Sequence, residues 1–397
     1  MLKLSFSVLI LYCVVDVTVF QLIDNNSIWY TPIKYYSDDS SFYSYLKKIF
    51  DSISSQTCLN FKSTDSQEIK DGEQGIYFRK DDKETSITTI GPKYNKGPEP
   101  NIIKILKSDL SRPSYIQMFI HMTLGAVPEN NRCDRDKYIK MNWTNIQVGS
   151  KGHFKINNFT CPFLKDLGYD YGSLTHTGSY DFAKDKHFPT IHSLNADKFY
   201  QKMMGQRDHA TFHDYKLLNF LLCPHTCSSF QNNCLHGGYL NPRNCYECKC
   251  PYGLQGKICN ETVSTRNFYL FYYYQQKGVS LYATFNKNEY QISDKYNFYI
   301  YITANQGSQI LITHVKSKTG PSQYPCLPKL GHEFRYQADK GSMGVCVCGE
   351  YEEEFSLLTE DNFAIIKYHG IGLVHSIKFY YQATTTSKPP AVRIGRG

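Results

Sequence analysis

The residues of this chain whose types and spacing could do chemistry stand between positions 118 and 136, Met-Phe-Ile-His-Met-Thr-Leu-Gly-Ala-Val-Pro-Glu-Asn-Asn-Arg-Cys-Asp-Arg-Asp. Met118, His121 and Met122 lie at i, i+3 and i+4, so a helix would make neighbours of two thioethers and an imidazole. Soft sulfur with imidazole suits Cu(I). Methionines at helical spacing are far more often core than ligands, and packing is the expected role here. Phe119, between them, cannot accept a proton, which excludes general-base chemistry at that position. The element that must position these side chains is a helix from about Pro113 to Leu124. Pro113 fits a first turn, Ile116, Phe119, Ile120, Thr123 and Leu124 supply apolar or neutral faces, and Gly125 is a C-cap. Pro128 lies beyond that stop and breaks nothing. Burying Met118, Phe119 and Met122 would contribute roughly 1.5 to 3 kcal/mol per side chain, as an upper bound.

The second half of the same stretch keeps a frame: Gly125, Glu129, Arg132, Asp134, Arg135 and Asp136, followed by Tyr138. Metzincin zinc proteases carry H-E-x-x-H-x-x-G-x-x-H, which astacins continue as E-x-x-R-x-D-R-D, and in that register the chain resembles the astacin family. The resemblance implies a two-lobed domain in which three imidazoles hold zinc, leave one position for water, and a glutamate takes the water's proton. Met118 and Met122 occupy the first two zinc-ligand positions, Pro128 the third, and Phe119 that of the general base. The family's Met-turn, S-x-M-H-Y, appears as Ser173-Leu174-Thr175-His176-Thr177, with Thr175 and Thr177 in place of its methionine and tyrosine. Concerted replacement in two separate segments gives the expectation of a pseudo-protease: no catalytic residue, no zinc or other cofactor, and action by binding an extracellular protein or peptide. Two alternatives stand beside it. One is a metalloendopeptidase with substituted ligands, drawing on His121 and His176 and a new base; the other is a matrix or cuticle component.

Cysteine usage and the N-terminus point to secretion. Residues 1 to 20, MLKLSFSVLILYCVVDVTVF, place Lys3 before an apolar run too short for an independent anchor, so they read as a signal peptide cut between Val17 and Gln21. No later stretch is long and apolar enough to span a bilayer. Sequons at Asn25, Asn142, Asn158 and Asn260 agree with an extracellular, glycosylated protein. The astacin opening pattern, Trp29 then Pro32-Ile33-Lys34-Tyr35, follows the leader closely, so no inhibitory pro-segment is expected. Of fourteen cysteines, Cys13 leaves with the leader, and thirteen remain where bridges form. The resemblance pairs Cys58 with Cys223. The family's second bridge is missing at both of its positions, Ser86 and Leu110, while Cys133 and Cys161 have no assigned partner.

The expected organisation is multidomain α+β. After the signal peptide, 21–223 is a two-lobed astacin-like domain, 224–260 a disulfide-rich module, 262–383 an all-β sandwich, and 384–397 a disordered tail. Cys227, Cys234, Cys245, Cys248, Cys250 and Cys259 close as C-x-C-x8-C and resemble an epidermal-growth-factor-like module, which implies the pairs 227 with 245, 234 with 248, and 250 with 259. Such a segment is too short to fold on a core alone. No acidic cluster precedes Cys227, so calcium is not expected. From 262 onward, runs such as Phe298-Tyr-Ile-Tyr-Ile-Thr303 alternate in the strand period, and the segment resembles a CUB domain. Cys326 pairs with Cys346 or Cys348, which leaves a thiol either to join two chains in a disulfide-linked oligomer or to be buried. A charge of +8 over 397 residues, with both signs interleaved, excludes a dedicated nucleic-acid binder.

Overall fold

The computed structural model describes residues 29–65, 69, 74–92, 100–158, 161–263, 277–320, 322, 324–370 and 375–385; the leader, Asn25 and the tail beyond 385 lie outside them. Among the described residues no helix is long and apolar enough to cross a membrane. The chain divides into two compact units, Met1–Ser54 with Leu59–Gly125, and Ser55–Cys58 with Ala126–Gly397.

The first unit is built on a five-stranded sheet. Its strands are β1 (Ile33–Ser37), β2 (Phe61–Ser63), β3 (Gly75–Asp81), β4 (Ser86–Ile87) and β5 (Asn101–Leu106), in the order β2-β1-β3-β5-β4. Neighbours run parallel except β4, which closes the β5 edge antiparallel. Helix α1 (Tyr43–Gln56) buries Leu46, Ile49, Phe50 and Ile53, an i, i+3, i+4, i+7 stripe, and leaves the Lys47–Asp51 pair in water. Phe50 is the centre of that contact: its ring lies 4.5 Å from Tyr35 and 4.2 Å from Phe61. Helix α2 (Pro113–Leu124) starts on Pro113 and stops at Gly125, whose φ of 122° no β-carbon would tolerate easily.

The second unit joins segments that the sequence suggests are separate. It opens with short elements: β6 (Ile139–Met141) pairs antiparallel with β7 (Ile191–Ser193), and the helices α3 (Asp197–Tyr200) and α4 (Phe212–Leu222) follow. A capping box starts α4, with the Thr211 and Asp214 side chains each taking a backbone N–H of the other residue. Next come two small hairpins, β8 (Tyr239–Asn241) with β9 (Asn244–Lys249), and β10 (Leu254–Gln255) with β11 (Glu261–Thr262).

The remainder is a sandwich. One sheet runs β12 (Lys277–Tyr282), β14 (Phe298–Thr303), β20 (Phe363–Tyr368), β16 (His332–Arg335), β17 (Val345–Val347). The other runs β13 (Asn288–Asp294), β21 (His375–Thr384), β15 (Gln309–Lys318), β18 (Glu350–Tyr351), with β19 (Phe355–Leu358) also on β15. The period of two sorts β14 cleanly: Phe298, Ile300 and Ile302 enter the main core, while Tyr299 and Tyr301 pack with Leu254, Phe363 and Ile365 on the opposite face. The disulfide-rich segment covers that second face, and the Tyr301 hydroxyl donates to the Gly253 carbonyl at 2.6 Å. The main core does not stop at the sandwich. Phe199 lies 4.5 Å from Phe355, and Met203, Met204 and Tyr200 belong to the same buried cluster as Phe334 and Ile366.

Candidate functional site

Helix α2 carries Met118 and Phe119, 7% and 8% exposed, with Met122 half-buried and His121 fully buried. Phe119 meets Tyr115 edge-on at 5.1 Å, and His121 Nε2 lies 3.5 Å from Gln117 Nε2. These four residues belong to the first unit, whereas Pro128, Thr175, His176 and Thr177 belong to the second.

Pro128 opens a short 3-10 turn, Glu129–Asn131, that starts a buried polar network. Glu129 is 1% exposed; its Oε1 accepts from Arg132 Nη1 at 2.7 Å and from the Asp170 backbone N–H at 2.9 Å. The other oxygen stands 3.5 Å from His213 Nε2, an ion contact at the edge of hydrogen-bond range. Burial pushes the Glu129 pKa up, but the charges of Arg132 and His213 outweigh it and hold the carboxyl down at about 2. Burial likewise pulls His213 down, and Glu129 more than offsets it, so its pKa is raised. Arg132 spends the rest of its guanidinium on Asp134, at 3.0 and 2.9 Å, and on the carbonyls of Gly168 and Leu167. Arg135 reaches the carbonyls of Asn130 and Phe154. Asp170, fully buried, is pushed up to about 7 by desolvation, while accepting from Gly172 N, Met343 N and Thr211 Oγ1.

The second landmark is anchored on α4. Asp214 accepts from Ser173 Oγ at 2.6 Å and from the Leu174 N–H at 2.9 Å, and Thr177 N–H donates to Asn130 Oδ1. His176 has both ring nitrogens engaged: Nε2 lies 2.8 Å from the Tyr169 hydroxyl and Nδ1 2.8 Å from the Thr177 carbonyl. The carbonyl partner requires the proton on Nδ1, so Nε2 is the acceptor. Burial lowers its pKa to about 4, which keeps the ring neutral. Sequence reasoning missed Asp170, His213 and the bracing role of Asp214; the T-x-x-D spacing before α4 is the signal that could have found the last.

Six bridges join Cys58 to Cys223, Cys133 to Cys161, Cys227 to Cys245, Cys234 to Cys248, Cys250 to Cys259 and Cys326 to Cys348. Cys346 is the free thiol among the described cysteines, 2% exposed and 4.0 Å from the Cys348 sulfur. Burial pushes its pKa well above the usual thiol range. Of the two alternatives for this leftover thiol, joining chains or being buried, the structure shows burial: β17 points it into the sandwich core, away from a disulfide-linked oligomer. Of the sequons, Asn158 and Asn260 are exposed, while Asn142 is half-buried and its Nδ2 donates to the Pro189 carbonyl at 3.2 Å.

The model of the astacin peptidase family matches residues 21–223, just over half of the chain. The chain belongs to the astacin family. It is 36% identical over 205 residues to zinc metalloproteinase dpy-31 of Brugia malayi, covering 51% of this chain and 32% of that protein. To the Caenorhabditis elegans dpy-31 it is 33% identical over 207 residues, covering 52% and 33%, and to nas-30 of the same organism 30% identical over 248 residues, covering 62% and 31%. The chain thus spans about a third of the length of these relatives. Among solved structures, high choriolytic enzyme 1, a hatching enzyme zinc-protease from Oryzias latipes, covers 50% of this chain and 91% of its own at 21% identity and a TM-score of 0.40. The CUB1-EGF-CUB2 domains of rat MASP-1 cover 27% and 42% at 14% identity and a TM-score of 0.21, and neither score carries an argument.

These findings overturn one expectation. The inference that the chain is not an enzyme does not stand, because its family and its named relatives are zinc metalloproteinases. What the side chains establish is narrower. At the positions assigned to zinc and its base stand two thioethers, a pyrrolidine ring and a phenyl ring, and this donor set does not fit a zinc ion held by three imidazoles. Among the described residues, three or more cysteine, histidine or carboxylate donors close enough to share an ion occur at Cys326, Cys346 and Cys348, two of which are already tied in a bridge.

Proposed function

We propose that this chain is a secreted astacin homologue that engages an extracellular protein or peptide, with an epidermal-growth-factor-like module at 224–260 and a CUB-like sandwich at 262–383. The observation that carries the reading is the buried frame in which Glu129, Arg132 and Asp214 are hydrogen-bonded and Asp214 holds the 173–177 segment, while Met118 and Phe119 are packed as core. The family's scaffold for handling polypeptide is thus kept, and binding needs no cofactor. The leader at 1–20 and six bridges favour an oxidising, extracellular setting. A second reading, peptide-bond hydrolysis with non-standard ligands, is favoured by the names of the relatives. It has to find donors other than His176, whose two nitrogens are occupied.

The test is affinity capture from the native secretion with the purified full chain, alongside zinc content and chelator-sensitive cleavage of a denatured protein. Capture of a discrete extracellular protein supports the first reading, and capture of none refutes it. One equivalent of zinc with chelator-sensitive cleavage establishes the second.

A further inference from the structure

We propose that four buried histidines of the sandwich, His314, His332, His369 and His375, act as an acid-sensitive latch between its two sheets: it is closed while their rings are neutral, and their protonation parts the sheets. The inference holds whether the chain binds polypeptide or cleaves it, because it concerns how the sandwich stays shut. Each sheet supplies part of the cluster. β16 carries His332 and His369 follows β20, while β15 carries His314 and β21 opens with His375. All four are 5% exposed or less.

Hydrogen bonding fixes these rings in their neutral form. His332 Nε2 lies 3.0 Å from the Ser376 carbonyl, and its Nδ1 takes the His369 backbone N–H at 3.0 Å. The first contact requires a proton on Nε2 and the second requires Nδ1 bare, so a second proton would set two N–H groups against each other. One ring thus ties β16 of the first sheet to β21 of the second only while it is uncharged. His314 Nδ1 faces the Glu353 carbonyl at 3.3 Å, so its Nε2 accepts from Ser317 Oγ at 2.9 Å, and the ring stacks on Phe355 at 4.6 Å. His375 Nδ1 donates to the His369 carbonyl at 2.9 Å, and these two rings stack 5.2 Å apart, so charging both would set two cations face to face.

The groups around the cluster give a cation little help. Lys367 on β20 opposes protonation of His369. Glu353 meets His314 through its backbone and spends its carboxylate on Lys198, and Glu333, next to His332 in the chain, is held by Arg335. The phenols of Tyr368, stacked on His332, and Tyr351, beside His314, are raised to about 12 and stay neutral. On β13, Asp294 is the register partner of His375 and is the carboxylate placed to offset a charge there, so His375 is left out of the count that follows. Burial pulls His332 down to about 3, and His314 and His369 to about 4. These values lie below the 6.5 of a free histidine, so the opened sandwich takes up more protons than the closed one. The stability they hold is complete above pH 6.5 and is lost as pH falls towards 4. Asp170 and His213, whose values are raised, gain stability over the same descent, so a loss cannot come from them.

The test is amide hydrogen exchange of the full chain followed by mass spectrometry, from about pH 7.5 to about pH 5, with protection corrected for the pH dependence of intrinsic exchange. Ordinary carboxylates stay charged over this range. The descent should raise the opening of β15, β16 and β21 relative to β5 of the first unit by about thirtyfold for each of the three histidines. His332→Gln, whose amide keeps one donor and one acceptor, and His369→Gln should each reduce that ratio by about thirtyfold, and the double variant by more. Protection of the three strands that does not change with pH, a loss equal to that of β5, or a double variant as pH-sensitive as the wild type would overturn the proposal. The wild-type series alone decides the first two outcomes, so a variant that fails to fold leaves the test intact.

Discussion

Glu129→Gln tests the buried network most sharply. The carboxyl has a folded pKa of about 2 against 4.5 for the free group, a difference that contributes about 3 kcal/mol at neutral pH. Since the folded value is depressed, this stability is complete above pH 4.5 and is lost as pH falls from there towards 2. His213 acts in the opposite sense: its folded pKa is raised above 6.5, so its contribution is complete below pH 6.5 and is lost as pH rises through the folded value. The wild type should therefore be most stable between about pH 4.5 and 6.5 from this pair. The amide leaves the Arg132 and His213 charges in a dry site, and breaking a buried pair costs about 3 to 5 kcal/mol. Arg132 keeps Asp134, which places the expected loss near the lower end. Urea unfolding followed by tryptophan fluorescence at several pH values measures both effects. The variant should lose about 3 kcal/mol at pH 6 and show a flatter acid limb. A loss below about 1 kcal/mol, or an acid limb identical to the wild type's, would refute the reasoning.

The joint between lobe and sandwich is tested by Met343→Ala: Met343 is buried against Gly172 and its N–H donates to Asp170, so the truncation should cost about 2 to 4 kcal/mol and split a single unfolding transition into two. Unchanged, single-step unfolding would show that Met343 is not what couples the two segments. Cys346 should resist thiol reagents in the native protein and react once the chain is denatured; rapid native labelling would contradict its burial. Glycan mapping by mass spectrometry should find occupancy at Asn158 and Asn260 and little at Asn142, whose amide is already bonded. A fully occupied Asn142 would mean that the 142–190 pairing forms only after the sugar is attached.

Much of the local structure was legible because local rules decide it. Pro113 and Gly125 bound α2 through backbone constraints that act on single residues, and the alternation of 298–303 sorts one strand onto two faces without reference to anything else. The family was legible in Gly125 to Asp136 for a similar reason, since the Glu129–Arg132–Asp134 turn needs those side chains within a few residues of one another. The step from missing ligands to a missing activity did not hold, because side-chain types at a few positions describe a donor set and not what the whole protein does.

The sequence by itself determined the α2 helix, the strand alternation and the family. Only the tertiary structure decided which residues meet across long separations. Asp170 and His213 come to Glu129 from 41 and 84 positions away, Cys326 chooses Cys348 over Cys346, and Phe199 shares a core with Phe355. Those outcomes depend on how the chain closes on itself, and closing a long loop leaves no periodic or local mark in the residues it joins.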